Sequence, residues 1–208
     1  MFVSAGVGMV LELAGSRLMA PHFGNSLFVW TSLIGVILAF MSLGNYLGGR
    51  LADRWLDASV LSWVMGIAAL GVVAMSFSEG TVLPALATAG SIRLMSVVAA
   101  CLLFAVPSML LGVVTPYAIR IRMHGLEHAG ATVGRLYALA TLGSIAGTFA
   151  AGFWLLSVMG THRLILLSAA VLVALAALVM GRVDWRKVAL LLLVAALAAL
   201  SFATADGG

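Results

Sequence analysis

Residues 27–48 read LFVWTSLIGVILAFMSLGNYLG, a stretch without a single formal charge. About 20 apolar residues suffice to cross a bilayer as a helix. Hydrocarbon offers no partner to a backbone N–H or C=O, so such a stretch must satisfy its own polar groups helically. Nothing between Arg17 and Arg50 is formally charged, so the pattern continues on the N-terminal side. Pro21, His22, Gly24 and Asn25 interrupt it, which predicts a first helix over about 1–19, a tight turn or short re-entrant piece, and a second helix over 27–48.

The same reading along the chain predicts further spans over about 58–78, 94–119, 134–158, 164–181 and 188–204, with a kink at Pro107 and an end near Pro116. Composition agrees. Of 208 residues 63% are hydrophobic and 9% charged, with mean hydropathy +1.19, against about a quarter charged in soluble domains. The expected fold is all-α: one integral membrane domain, 1–208, built as a polytopic transmembrane helix bundle of about seven spans.

Several function classes drop out. The net charge of +4 comes from arginines in short clusters between apolar runs, without the aromatic interleaving of a nucleic-acid surface, so no nucleic-acid partner is expected. Cys101, the sole cysteine, lies in an apolar run, which rules out an intrachain disulfide and a thiolate metal site. His22, His124, His128 and His162 are scattered over three predicted loops. His124 and His128 read as part of a solvated basic loop, and neither a metal nor a cofactor is expected. Glu12 and Arg17 interrupt the first apolar segment, and no basic region precedes it, unlike a cleaved signal peptide.

Orientation follows from arginine and lysine placement. Arg50, Arg54, Arg120, Arg122, Arg135, Arg182, Arg186 and Lys187 fall on one face, against Arg17, Arg93 and Arg163 on the other. The N-terminus is therefore expected in the cytoplasm, and the tail after a seventh span outside. Trp30, Trp55, Trp63, Trp154 and Trp185 lie mostly near predicted span ends, as an interfacial belt requires.

Two features stand out inside the hydrocarbon. Gly143, Gly147 and Gly152, with Ser144, Ala146, Ala150 and Ala151 between them, give the fifth span a small-residue surface of the kind that lets helix backbones meet. That span is expected at the centre of the bundle. Glu12 is the one charged residue far from a predicted helix end, with Arg17 five residues on. Such groups usually face a bundle interior or cavity. Five residues turn an ideal helix to about 140°, so the two do not share a face. Asn45 and Tyr46 are the first choices for polar partners. The alternatives are structural glue near Pro21 and a site for a cationic or amine-bearing molecule or a lipid headgroup.

Within GNYLGGRLADRW, Gly49, Asp53 and Arg54 match the Gly-x-x-x-Asp-Arg core of the signature loop of major facilitator transporters, with Leu56 and Asp57 where that family has Gly and a basic residue. Four blocks extend the likeness over Phe2 to Leu156: LELAGSRLMAPHFGNSLFVW, GNYLGGRLADR, MLLGVVTPYAIR and GRLYALATLGSIAGTFAAGFWLL. Together they resemble the membrane region of the fused major facilitator/spermidine synthase proteins, with Ala140 in place of an expected Asn. The resemblance implies a half-facilitator arrangement in a bacterial inner membrane. It also implies a signature loop at Gly49, Asp53 and Arg54 whose carboxylate bonds a neighbouring helix in one conformation and releases it in another.

In many members of that family an aminopropyltransferase-like domain follows the membrane region. Here the last predicted span is followed by Ala205, Asp206, Gly207 and Gly208, so the chain is not expected to be an enzyme. The functions implied are a transporter-like module, a membrane anchor for a separately encoded soluble synthase-type partner, or an accessory subunit of a larger membrane complex. Expected partners are the lipid bilayer and either further copies of the chain or other membrane subunits.

Overall fold

The computed structural model describes residues 1–123 and 129–179. The chain is an all-α bundle, and among the described residues six helices are long and apolar enough to cross a membrane. It is a membrane protein. The predicted span over 188–204 and the end of the one over 164–181 lie outside the described residues, as do His124 and His128.

Helix α1 (Phe2–Phe23) runs through Pro21 and stops at Gly24, where φ is 76°. The expected break at Pro21 therefore falls three residues later. Proline in a last turn forfeits one hydrogen bond, whereas left-handed glycine turns the backbone away from the helix. Helix α2 (Leu27–Arg54) outlasts its predicted end, so Gly49, Asp53 and Arg54 sit on its final turns and only Trp55–Asp57 form the connection. Helix α3 (Ala58–Ala89) starts where the Asp57 carboxylate accepts from the Ser59 N–H at 2.9 Å, a side-chain cap. It continues well beyond Ser78 to Gly90.

Helix α4 (Ile92–Arg122) contains both Pro107 and Pro116. Helix α5 (Ala129–Ala150) passes through a π turn (Ala151–Leu155) into the short α6 (Leu156–Met159), and after Gly160 helix α7 (Thr161–Val179) returns.

Packing follows the small residues. Helices α2 and α4 form the most extensive pair. At Gly44 and Gly112 an added Cβ would overlap the carbonyls of Met109 and Met41, and at Gly48 it would lie 2.7 Å from the Val113 Cα. Backbone thus meets backbone, which gains dispersion contact that lipid does not match. The pair is also joined by the buried Ser32–Ser96 hydroxyl contact at 3.0 Å. On the other side, α3 pairs with α7, where the Ser62 hydroxyl donates to the Ala176 carbonyl at 2.8 Å.

The helix that meets α2, α3, α4, α5 and α7 is α1, and it occupies the centre expected of the fifth span. In α5 the one buried residue is Gly143. Gly143 and Gly147 do make close backbone approaches, to Phe2 and Gly6 of α1, while Gly152 faces open space. The fifth span is peripheral because its small-residue face is one stripe wide. Leu139, Leu142, Ile145, Phe149 and Phe153 leave it exposed elsewhere.

Tyr117 on α4 is fully buried and ties down the α2–α3 connection. Its hydroxyl accepts from the Asp57 N–H at 3.1 Å and faces the carbonyls of Trp55 and Asp57, the latter at 2.8 Å. Tyr117→Phe is expected to cost about 1–3 kcal/mol, the penalty of unsatisfied buried groups. Thermal unfolding in detergent measures it, and a melting temperature equal to wild type would show that water replaces the hydroxyl there.

Candidate functional site

Glu12 lies mid-way along α1, where four helices leave a cavity of about 220 Å³. Ser4, Gly8 and Glu12 come from α1, Asn45 from α2, Thr115 from α4, and Tyr137, Thr141 and Ser144 from α5. Met9, Met41 and Leu111 complete the wall. Glycine at 8, with nothing within 4 Å of an added Cβ, keeps the wall recessed one turn from Glu12.

The donors and acceptors are unevenly shared. The Ser4 hydroxyl donates to the Met1 carbonyl at 3.0 Å and the Thr141 hydroxyl to the Tyr137 carbonyl at 3.0 Å. A hydroxyl has a single hydrogen, so these two oxygens face the cavity as acceptors. Glu12 makes no hydrogen bond or ion pair within the described residues, and no arginine, lysine or histidine lines the cavity. Asn45, Thr115, Tyr137 and Ser144 add groups that can donate as well as accept, so it is the Glu12 carboxylate that suits the site to a cation.

The predicted partners separate. Asn45 shares the cavity with Glu12, whereas Tyr46 is exposed and stacks under Arg50, whose guanidinium carbon is 4.6 Å from the ring centroid. Arg17 lines a different cavity, near the other end of the bundle. Neighbouring positions on a helix point about 100° apart, so Asn45 and Tyr46 cannot both face inward. Ala140, the departure from the resembled pattern, is itself on the Glu12 cavity wall.

At the end of the bundle where α2 and α4 finish, Asp53 accepts from the Arg120 Nε at 3.1 Å. Both side chains are largely exposed, so the pair contributes at most about 1 kcal/mol. Arg54 lies over the Trp55 ring at 4.9 Å, and Gly49 has open space around it.

Sequence reasoning missed one cluster. Glu79, expected in a loop, is on the extended α3, and His162 opens α7. His162 Nδ1 lies 3.1 Å from Glu79 Oε1, and the Ser76 hydroxyl is 3.2 Å from the same nitrogen. The only sequence signal was that all three lie at span ends. Comparison with family models, with curated proteins and with solved structures finds no match for this chain.

Proposed function

We propose that the chain is a transporter-like membrane module of half-facilitator type, related to the fused major facilitator/spermidine synthase proteins, that binds a small organic amine at Glu12. The observation that carries this reading is the Glu12 carboxylate, without a partner among the described residues, in a polar-lined cavity that no arginine, lysine or histidine lines. The cavity is bounded by α1, α2, α4 and α5, so a second copy or another membrane subunit placed against α5 would enclose a path for the amine.

The test is thermal unfolding of wild type and Glu12→Gln with a series of polyamines and monoamines, with amino acids and anionic lipids alongside. A bound amine at a hundredfold excess over its Kd stabilises the wild type by about 2.7 kcal/mol. Glu12→Gln keeps the shape and loses that response. If no amine stabilises the wild type, or if both proteins respond equally, the reading fails.

The orientation belongs to the same proposal. Arg50, Arg54, Arg120, Arg122 and Arg135 cluster at one end of the bundle, and Arg17, Arg93 and Arg163 lie towards the other. A reporter inserted between residues 123 and 129 is expected to read as cytoplasmic, and one at Gly90–Ser91 as extracytoplasmic. The reverse pattern at both positions would invert the orientation.

A further inference from the structure

At the end of the bundle opposite Asp53–Arg120, a second cavity of about 300 Å³ is lined by Arg17, Pro21 and His22 of α1, Glu79 and Leu83 of α3, and His162 of α7. Two charged groups in it have unused capacity. Arg17 is exposed and makes no hydrogen bond or ion pair within the described residues. Glu79 gives Oε1 to His162 at 3.1 Å, while its Oε2 is shut off from solvent with no hydrogen-bond partner. A buried carboxylate oxygen left unpaired is costly. The cation and the carboxylate belong to one cavity yet do not bond each other, which leaves room for something between them.

We infer that this cavity is a binding site for a phosphoethanolamine group, its phosphate on Arg17 and its ammonium on Glu79. A simple anion would satisfy Arg17 and leave Glu79 Oε2 unpaired. A simple amine would do the reverse. A zwitterion whose charges are two carbons apart serves both once the Glu79 side chain swings from His162 into the cavity, leaving His162 on the Ser76 hydroxyl. His22, on the same helix as Arg17, adds a ring nitrogen to the lining, and Leu18, Pro21 and Leu83 supply an apolar wall. Glu79 follows Ala58 by 21 residues along α3, a rise of about 30 Å at ~1.5 Å per residue, which matches the hydrocarbon thickness and puts the cavity at the depth of a lipid headgroup. The same chemistry is carried by a phosphatidylethanolamine lipid and by free phosphoethanolamine.

The test is retention of lipid by the purified protein in mixed micelles doped equally with phosphatidylethanolamine, phosphatidylcholine and phosphatidylglycerol, followed by lipid quantification. Phosphatidylethanolamine should be retained at least fivefold over both others, because choline has no N–H to donate and glycerol has no cation. Arg17→Gln, at an exposed position, should abolish retention of phosphatidylethanolamine. Glu79→Gln should lower it to the level of phosphatidylglycerol. Displacement of the lipid from wild type by soluble phosphoethanolamine, and not by inorganic phosphate, supports the site without any variant. Binding of soluble phosphoethanolamine in the absence of lipid preference also supports it, and names a free solute as the source. Equal retention of the three lipids with no binding of soluble phosphoethanolamine overturns the inference. So do equal retention of phosphatidylglycerol and phosphatidylethanolamine that both depend on Arg17, and a preference that survives both substitutions.

Discussion

Gly44→Ala is expected to destabilise the bundle by about 3 kcal/mol, the upper end of what overpacking a core costs. A Cβ at this position would run into the Met109 carbonyl and lie 2.8 Å from its carbon and 3.1 Å from the Gly112 Cα. All three atoms are backbone, so no rotamer change relieves the overlap. Helices α2 and α4 would have to separate along their length, dragging the Gly48–Val113 approach and the Ser32–Ser96 contact with them. Gly49→Ala provides the control. It meets open space, and alanine is favoured over glycine in a helix by about 1 kcal/mol. Melting temperature and the monodisperse fraction in detergent distinguish the two variants. If Gly44→Ala melts with wild type, the α2–α4 interface is looser than backbone contact.

The existence of the helices was legible because polar backbone in hydrocarbon leaves no other choice, and the apolar runs marked where each lies. Their ends were less so. Proline at 21, 84, 107 and 116 is accommodated within helices, since losing one hydrogen bond does not stop a segment whose remaining bonds are shielded from water. The stops at Gly24 and Gly160 depend on positive φ, which composition does not reveal. The extension of α3 past Ser78 is what brings Glu79 to His162. A reading that ended the helix with its apolar run therefore had to miss that cluster. Glu12 was legible as a lone charge among apolar neighbours; of the two polar partners expected for it, Asn45 lines the same cavity without bonding it. Tyr46 does not line it, and choosing between adjacent residues requires the rotation of α2 against α1. Glycine spacing correctly marked close approach at Gly143 and Gly147, but spacing on one helix carries no information about which helix it meets. The centre of the bundle therefore went to α5 when it belongs to α1.

Gly147→Leu is expected to unseat α5, lowering stability by about 1–3 kcal/mol and removing amine-induced stabilisation together with it. An added Cβ at 147 would lie 2.7 Å from the Gly6 Cα and 2.8 Å from its carbonyl carbon, and a leucine adds three more carbons to the same gap. Among the described residues helix α5 packs chiefly on α1 and buries only Gly143. Displacing it moves Tyr137, Thr141 and Ser144 away from Ser4 and Glu12, so the cavity of about 220 Å³ loses one of its walls. Gly152→Leu is the matched control. It adds the same side chain in the π turn that follows α5, where nothing lies within 4 Å of an added Cβ, and a substitution free of such conflicts stays within about 0.5 kcal/mol. The two variants are compared by melting temperature with and without the amine that stabilises wild type. Loss of the amine response in Gly147→Leu with its retention in Gly152→Leu would make the α1–α5 seam part of the binding site. A full response in both would mean that α5 is dispensable for holding the amine, leaving Glu12, Asn45 and Thr115 on α1, α2 and α4 to do so.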